Sequence, residues 1–115
     1  MVTKTEFMLL FRFEPNMNYQ PSEAELNEMQ QDWGAFFGSI AAQGKLVSTH
    51  QLGFEGTQIF ADQTTTDGIH IANNQTLGGN VVVQADTMQE AIEIGKNCPI
   101  FKMGGSVEVR SIQPM

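Results

Sequence analysis

The sequence predicts an α+β fold built from two βαβ halves with a hairpin inserted between them, and three observations carry that prediction. Two short runs, Phe7 to Phe11 and Val81 to Val83, are apolar at every position, as expected of strands covered on both faces. Two capping boxes, Ser22 with Glu25 and Thr87 with Glu90, each open a segment of helical periodicity. Glycines and glycine pairs then separate those segments from the strands that follow.

Taken in chain order, Thr5 to Phe13 reads as the first strand. Pro15 and Pro21 bracket a polar connection through Asn16, Asn18 and Tyr19. After Ser22, the residues Leu26, Met29, Trp33, Phe37, Ile40 and Ala41 recur at spacings of three and four, so one apolar stripe runs along a helix that Gly44 terminates. Lys45 to Leu52 forms the second strand, and Gly53 and Gly56 mark a turn. Thr57 to Ala61 and Gly68 to Ala72 read as a protruding hairpin around the polar stretch from Asp62 to Asp67. Gly78 and Gly79 lead into Val81 to Ala85, a central strand. Met88, Ala91, Ile92, Gly95 and Cys98 share one face of a second helix that ends near Pro99. Gly104 and Gly105 precede the last strand, Ser106 to Ile112, where Val107 and Val109 alternate with Glu108 and Arg110.

The order is therefore βαββαβ with an inserted hairpin. With right-handed crossovers it gives an antiparallel four-stranded sheet carrying both helices on one side, the ferredoxin-like arrangement. The other side is bare, yet the two doubly apolar strands point side chains at it. A monomer seldom leaves so large an apolar patch in water. The expectation is a homodimer joined through the sheet face, its two sheets curling into a dimeric α+β barrel with a pocket in each half.

At 115 residues, 41% hydrophobic and 17% charged, the chain is expected to be a single domain over residues 1–115. Its formal charge of −7 repels phosphate backbones and anionic head groups, which argues against nucleic-acid and membrane partners. The apolar run at Phe7 to Phe11 is interrupted by Arg12 and has no cationic leader, so it reads as a strand and not an export signal. Cys98 is the only cysteine, which suits a reducing compartment, and the expected location is cytoplasmic.

The strings Glu6-Phe7-Met8-Leu9-Leu10, Gly44-Lys45-Leu46-Val47, Thr66-Asp67-Gly68 and Gly104-Gly105-Ser106-Val107-Glu108-Val109-Arg110, in this order and spacing, resemble the YCII-related family in its DGPF-motif branch. The resemblance covers nearly the whole chain and implies the same dimeric ferredoxin-like barrel. The DGPF motif reads Asp67, Gly68, Ile69, His70 here, and Asn74 and Gln75 stand where an acidic and basic pair usually precedes the paired glycines. Asp67 and Gly68 are the motif positions that match. The histidine that other YCII-related proteins carry in the first helix has no counterpart in this sequence.

Candidate sites follow from residue chemistry. Asp67 beside Gly68 is a turn signal first; held near His70 or His50, its carboxylate would fix an imidazole tautomer and raise its basicity, so Asp67 and His70 are the catalytic candidates. Arg12 and Arg110 are charges within otherwise apolar strands. They either pair with Glu108 across the ladder or face a cleft where, with His50, they would hold an anionic ligand. Trp33, Phe36 and Phe37 read as core, with cavity lining as the alternative. No ligand spacing suggests a metal, and no phosphate-binding glycine pattern suggests a cofactor. The expected function is binding of a small, partly apolar molecule, anionic or not, in a barrel cleft. Two versions compete: cofactor-free isomerase, lyase or oxygenase-type acid/base chemistry, or a non-catalytic ligand-binding or dimerisation module.

Overall fold

The structure, a computed structural model, describes residues 5–15 and 22–113; the polar connection through Asn16, Asn18 and Tyr19 lies outside them. The elements are β1 (Thr5–Phe13), α1 (Glu23–Ala42), β2 (Leu46–Gln51), β3 (Thr57–Ile59), β4 (Thr65–Asp67), β5 (Thr76–Ala85), α2 (Met88–Gly95) and β6 (Ser106–Ser111), with a 3₁₀ turn, Pro99–Met103, before the last strand. Four strands form one antiparallel sheet in the order β2-β5-β1-β6, and β3 pairs with β4 alone. This is the ferredoxin-like α+β topology the element order predicts.

The two apolar strands lie at the centre. β1 pairs with β5 along its whole length, Leu9 opposite Val81 and Phe7 opposite Val83. Because side chains alternate across a strand, Phe7, Leu9 and Phe11 share one face with Val81, Val83 and Ala85, and all six are buried. Both helices cover that face. Phe11 meets Trp33 of α1 edge-on at 5.4 Å between ring centroids. In α2, a Cβ placed on Gly95 would make ordinary contact with Leu9 at 3.4 Å and Val107 at 3.5 Å, so this buried position of the helix packs directly on the sheet.

Both helices start where the capping boxes place them. Ser22 Oγ accepts from the Glu25 amide at 3.2 Å while Glu25 Oε1 accepts from the Ser22 amide, and Thr87 Oγ1 accepts from the Glu90 amide. Each bond satisfies an amide that the first helical turn leaves without a partner. Gly44, at φ 71°, follows the end of α1.

Two local predictions differ from the structure. The hairpin returns through Thr65–Asp67 and not through Gly68 to Ala72, because Asp62 closes the turn early: its Oδ1 accepts from the Thr64 amide at 3.0 Å and from the Thr64 hydroxyl at 2.6 Å. Asp67 is consequently a strand residue opposite Thr57, and the positive φ lies at Gln63, 74°, in the turn and at Gly68, 108°, after the strand. A second turn follows at Asn73 and Asn74, both at positive φ between the mutually bonded Ala72 and Gln75, the geometry that two-residue hairpins require. The other difference concerns Gly78 and Gly79, which lie inside β5 and do not introduce it.

Interior strand glycines mark close backbone approaches. A Cβ on Gly79 would stand 2.6 Å from the His50 carbonyl oxygen of β2. Gly79→Ala should therefore lower unfolding free energy by about 1–3 kcal/mol, the cost of forcing atoms into a packed contact. Gly38, in mid α1 with nothing within 4 Å of its notional Cβ, should behave oppositely, Gly38→Ala adding about 0.5–1 kcal/mol. Urea titrations of the two variants check both signs.

Candidate functional site

α1 does not seat evenly on the sheet. Phe36 and Ile40 are buried, while the neighbouring stripe of Leu26, Met29, Trp33 and Phe37 faces a cavity of about 530 Å³ between α1 and the β2 end of the sheet. Phe11, Phe13, Gly78, Gly79 and Ile100 line it from below, and Leu52 and Phe54 stand at its side. Trp33 and Phe37 thus line a cavity, the alternative open for them from sequence, whereas Phe36 is core. A Cβ on Gly78 would meet the Phe13 ring at 2.5 Å, so the ring rests against bare backbone; Phe13 in turn meets Phe54 edge-on at 6.0 Å.

The lining is chemically simple. Among the described residues, polar groups enter it only as Gln30, Thr49, His50 and Gln51, and it includes no lysine, arginine or carboxylate. Thr49 spends its hydroxyl on the Asn80 carbonyl at 2.9 Å. His50 Nδ1 lies 3.4 Å from Asn80 Oδ1; the two residues are opposite each other in the ladder and share the sheet face away from the helices. Sequence reasoning missed the cavity because it arises from the misfit of two distant elements. The run of Trp33, Phe36 and Phe37, too bulky for one helical stripe, was the available signal.

That other sheet face collects most of the remaining candidates. In the ladder, Met8 stands between Val82 and Arg110, and Leu10 between Asn80 and Glu108. Arg12 Nη1 donates to Glu108 Oε1 at 2.7 Å, and Arg110 Nε lies 4.0 Å from the other oxygen of the same carboxylate. Cross-strand pairing, one of the two expectations for these charges, is the arrangement found. Both ends of the Arg12 pair are well exposed, so it contributes at most about 1 kcal/mol.

The proposed catalytic pair is not assembled. Asp67 and His70 are exposed on the segment between β2 and β5, and among the described residues no hydrogen bond joins Asp67 to either histidine. His70 uses its backbone carbonyl to accept from the buried Thr76 hydroxyl at 2.8 Å. Neither residue lines the cavity. Among the described residues no three His, Cys, Asp or Glu side chains cluster as metal ligands would, and no helix is long and apolar enough to cross a membrane.

Over residues 5–115 the chain matches the YCII-related domain. It belongs to the YCII-related family. The match does not single out the DGPF branch, and no curated protein matches the chain.

One nucleophile of this YCII-related chain remains to be placed. Cys98 is buried between α2 and the 3₁₀ turn, and loss of solvation pushes its thiol up to about 11 from an ordinary 9.0. The fold thus favours the neutral thiol, so this contribution to stability is intact below pH 9 and is lost as pH rises toward 11. Iodoacetamide at pH 8 should label Cys98 slowly in the native protein and rapidly in urea. Mass spectrometry of timed aliquots reads the difference, and equal rates would contradict the burial.

Proposed function

We propose that this chain is a cytoplasmic homodimer that binds a small, uncharged, largely apolar molecule in the cavity beneath α1. The observation that carries the proposal is the cavity itself: about 530 Å³, walled by aromatic and aliphatic side chains with a few polar groups at one side. Ligand pockets commonly occupy about 300–1,000 Å³ with this balance of surfaces. Gln30 and Gln51, exposed at the rim, supply amide groups to orient a hydroxyl or carbonyl. With no lysine or arginine among the described lining residues and a chain charge of −7, a neutral ligand suits the site better than an anion.

A binding role is favoured over acid/base chemistry by where the titratable groups lie. Asp67 and His70 are outside the cavity, and His50 has an amide, not a carboxylate, as its partner. The homodimer is supported by the helix-free sheet face, where Met8, Leu10 and Val82 form an apolar centre with charges toward the β6 edge. The single buried thiol suits a reducing compartment. Placement in the DGPF branch is supported by Asp67 and Gly68.

Trp33 is the only tryptophan and lines the cavity, so its emission reports occupancy. Titration with ethylbenzene or p-cresol at millimolar concentration should shift that emission and raise Tm, and benzoate should do neither. Gln30→Phe, which fills the cavity from its exposed rim, should weaken binding about ten-fold or more, whereas Asp67→Asn and His70→Ala should bind as the parent does. An unchanged Trp33 spectrum with both neutral probes would overturn the assignment.

A further inference from the structure

The cavity beneath α1 is larger than one ring needs, and an irregularity in its floor contributes to that size. Along β1, Phe11 pairs with Gly79 but Arg12 pairs with Leu77, so Gly78 is an extra residue in β5, a β-bulge with no opposite number on β1. The Leu52 amide donates to the Gly78 carbonyl at 3.0 Å and ties the bulge to the end of β2. Because Gly78 has no side chain, the Phe13 ring lies against its backbone: a Cβ there would stand 2.5 Å and 2.8 Å from two ring carbons, far inside contact distance. The ring would have to move, and the open space that Phe13 borders is the cavity.

We infer that the cavity takes a neutral, planar ligand of two or three fused aromatic rings, and that Gly78 sets this size by leaving room for Phe13. The inference rests on the ligand-binding reading above and names the class of molecule. Volume gives the number of rings. A cavity of about 150 Å³ holds one benzene, so in proportion to ring atoms a fused pair needs roughly 250 Å³ and a fused triple roughly 350 Å³. The cavity of about 530 Å³ accommodates either, whereas a single ring would leave most of it unfilled. Planarity follows from the walls. Phe11, Phe13, Trp33, Phe37 and Phe54 line the space, and their rings meet at 5.4–6.0 Å with tilted or edge-on planes. A ring inserted among them gains offset or edge-to-face contacts that a saturated body of equal size does not. Polarity is limited by the lining: Thr49 already donates its hydroxyl to the Asn80 carbonyl, and among the described residues there is no lysine, arginine or carboxylate to balance a charge. One hydroxyl or carbonyl at the end of the ring system, met by the Gln30 or Gln51 amide, is what this lining can satisfy.

Isothermal titration calorimetry of the full chain at neutral pH compares three molecules: p-cresol as the single ring, 2-naphthol as the fused pair, and decahydro-2-naphthol as its saturated, non-planar counterpart. The parent should bind 2-naphthol about ten-fold or more tighter than either of the others. Gly78→Ala, which displaces Phe13, should cut the advantage over p-cresol to about three-fold or less. Adding Phe13→Leu removes the displaced ring and should restore the preference, together with the circular dichroism spectrum if the single variant loses it. Binding of p-cresol with 2-naphthol no tighter overturns the fused-ring class and leaves the cavity reading standing, and equal affinity for the saturated molecule overturns planarity. A folded Gly78→Ala that keeps the full preference, or a double variant that fails to regain it, overturns the role of Gly78. Absence of both binding heat and a Tm rise with all three molecules overturns the inference and the reading on which it rests.

Discussion

β1 and β5 occupy the middle of the sheet and are apolar on both faces, and most of the architecture answers to that constraint. On the helix side Phe7, Leu9, Phe11, Val81 and Val83 are sealed by α1, α2 and the 3₁₀ turn. On the opposite side Met8, Leu10 and Val82 occur at the alternate positions of the same ladder, where Val82 is buried and Met8 and Leu10 are half-buried, and neither helix lies over them. Two crossovers of the same hand place both helices on one side, so neither helix covers the opposite face. The sequence has written apolar side chains into a face that its two helices leave uncovered.

The two helices meet their shared face differently, and the difference produces the cavity. α2 is short and brings Gly95 down onto Leu9, Val107 and Val109. α1 carries Trp33, Phe36 and Phe37, which pack on one another with centroids 5.4–6.0 Å apart and prop that helix away from β2. Bulk that fails to interdigitate leaves space, and an interior otherwise packed to near-crystal density keeps such space only where the walls are rigid. Here the walls are edge-to-face aromatic rings and a strand whose glycines let Phe13 lie against it. The resulting space is lined mainly by apolar side chains, with Gln30, Thr49, His50 and Gln51 as its polar groups among the described residues.

Much of the fold was legible because its signals are local. Doubly apolar runs, capping boxes and terminal glycines each act over three to five residues, and β1, α1 and α2 begin where those signals put them. The inserted hairpin was legible as a hairpin but not in its register, since Asp62 and Asp67 are equivalent turn formers until one knows that Thr64 bonds back to Asp62. The site was less legible. Cross-strand pairing of Arg12 with Glu108 could be anticipated as one of two outcomes because both lie in strands, but which strands are neighbours depends on topology. The cavity was legible only as the alternative reading of Trp33, Phe36 and Phe37, for its place depends on how α1 sits over the β2 end of the sheet. Asp67 and His70, close in sequence and suited to each other chemically, share no hydrogen bond among the described residues: Asp67 ends β4 opposite Thr57, and the chain bends at Gly68, at φ 108°, before His70.

The open sheet face can be interrogated through Met8, whose ε-methyl group lies at its centre, with Met88, 39% exposed at the start of α2, as an internal reference. Methyl NMR with a soluble paramagnetic agent compares the two. If a second copy covers the face, the Met8 signal stays sharp at high protein concentration while the Met88 signal broadens, and Met8 loses its protection on dilution. Broadening of Met8 that is independent of protein concentration would contradict the account.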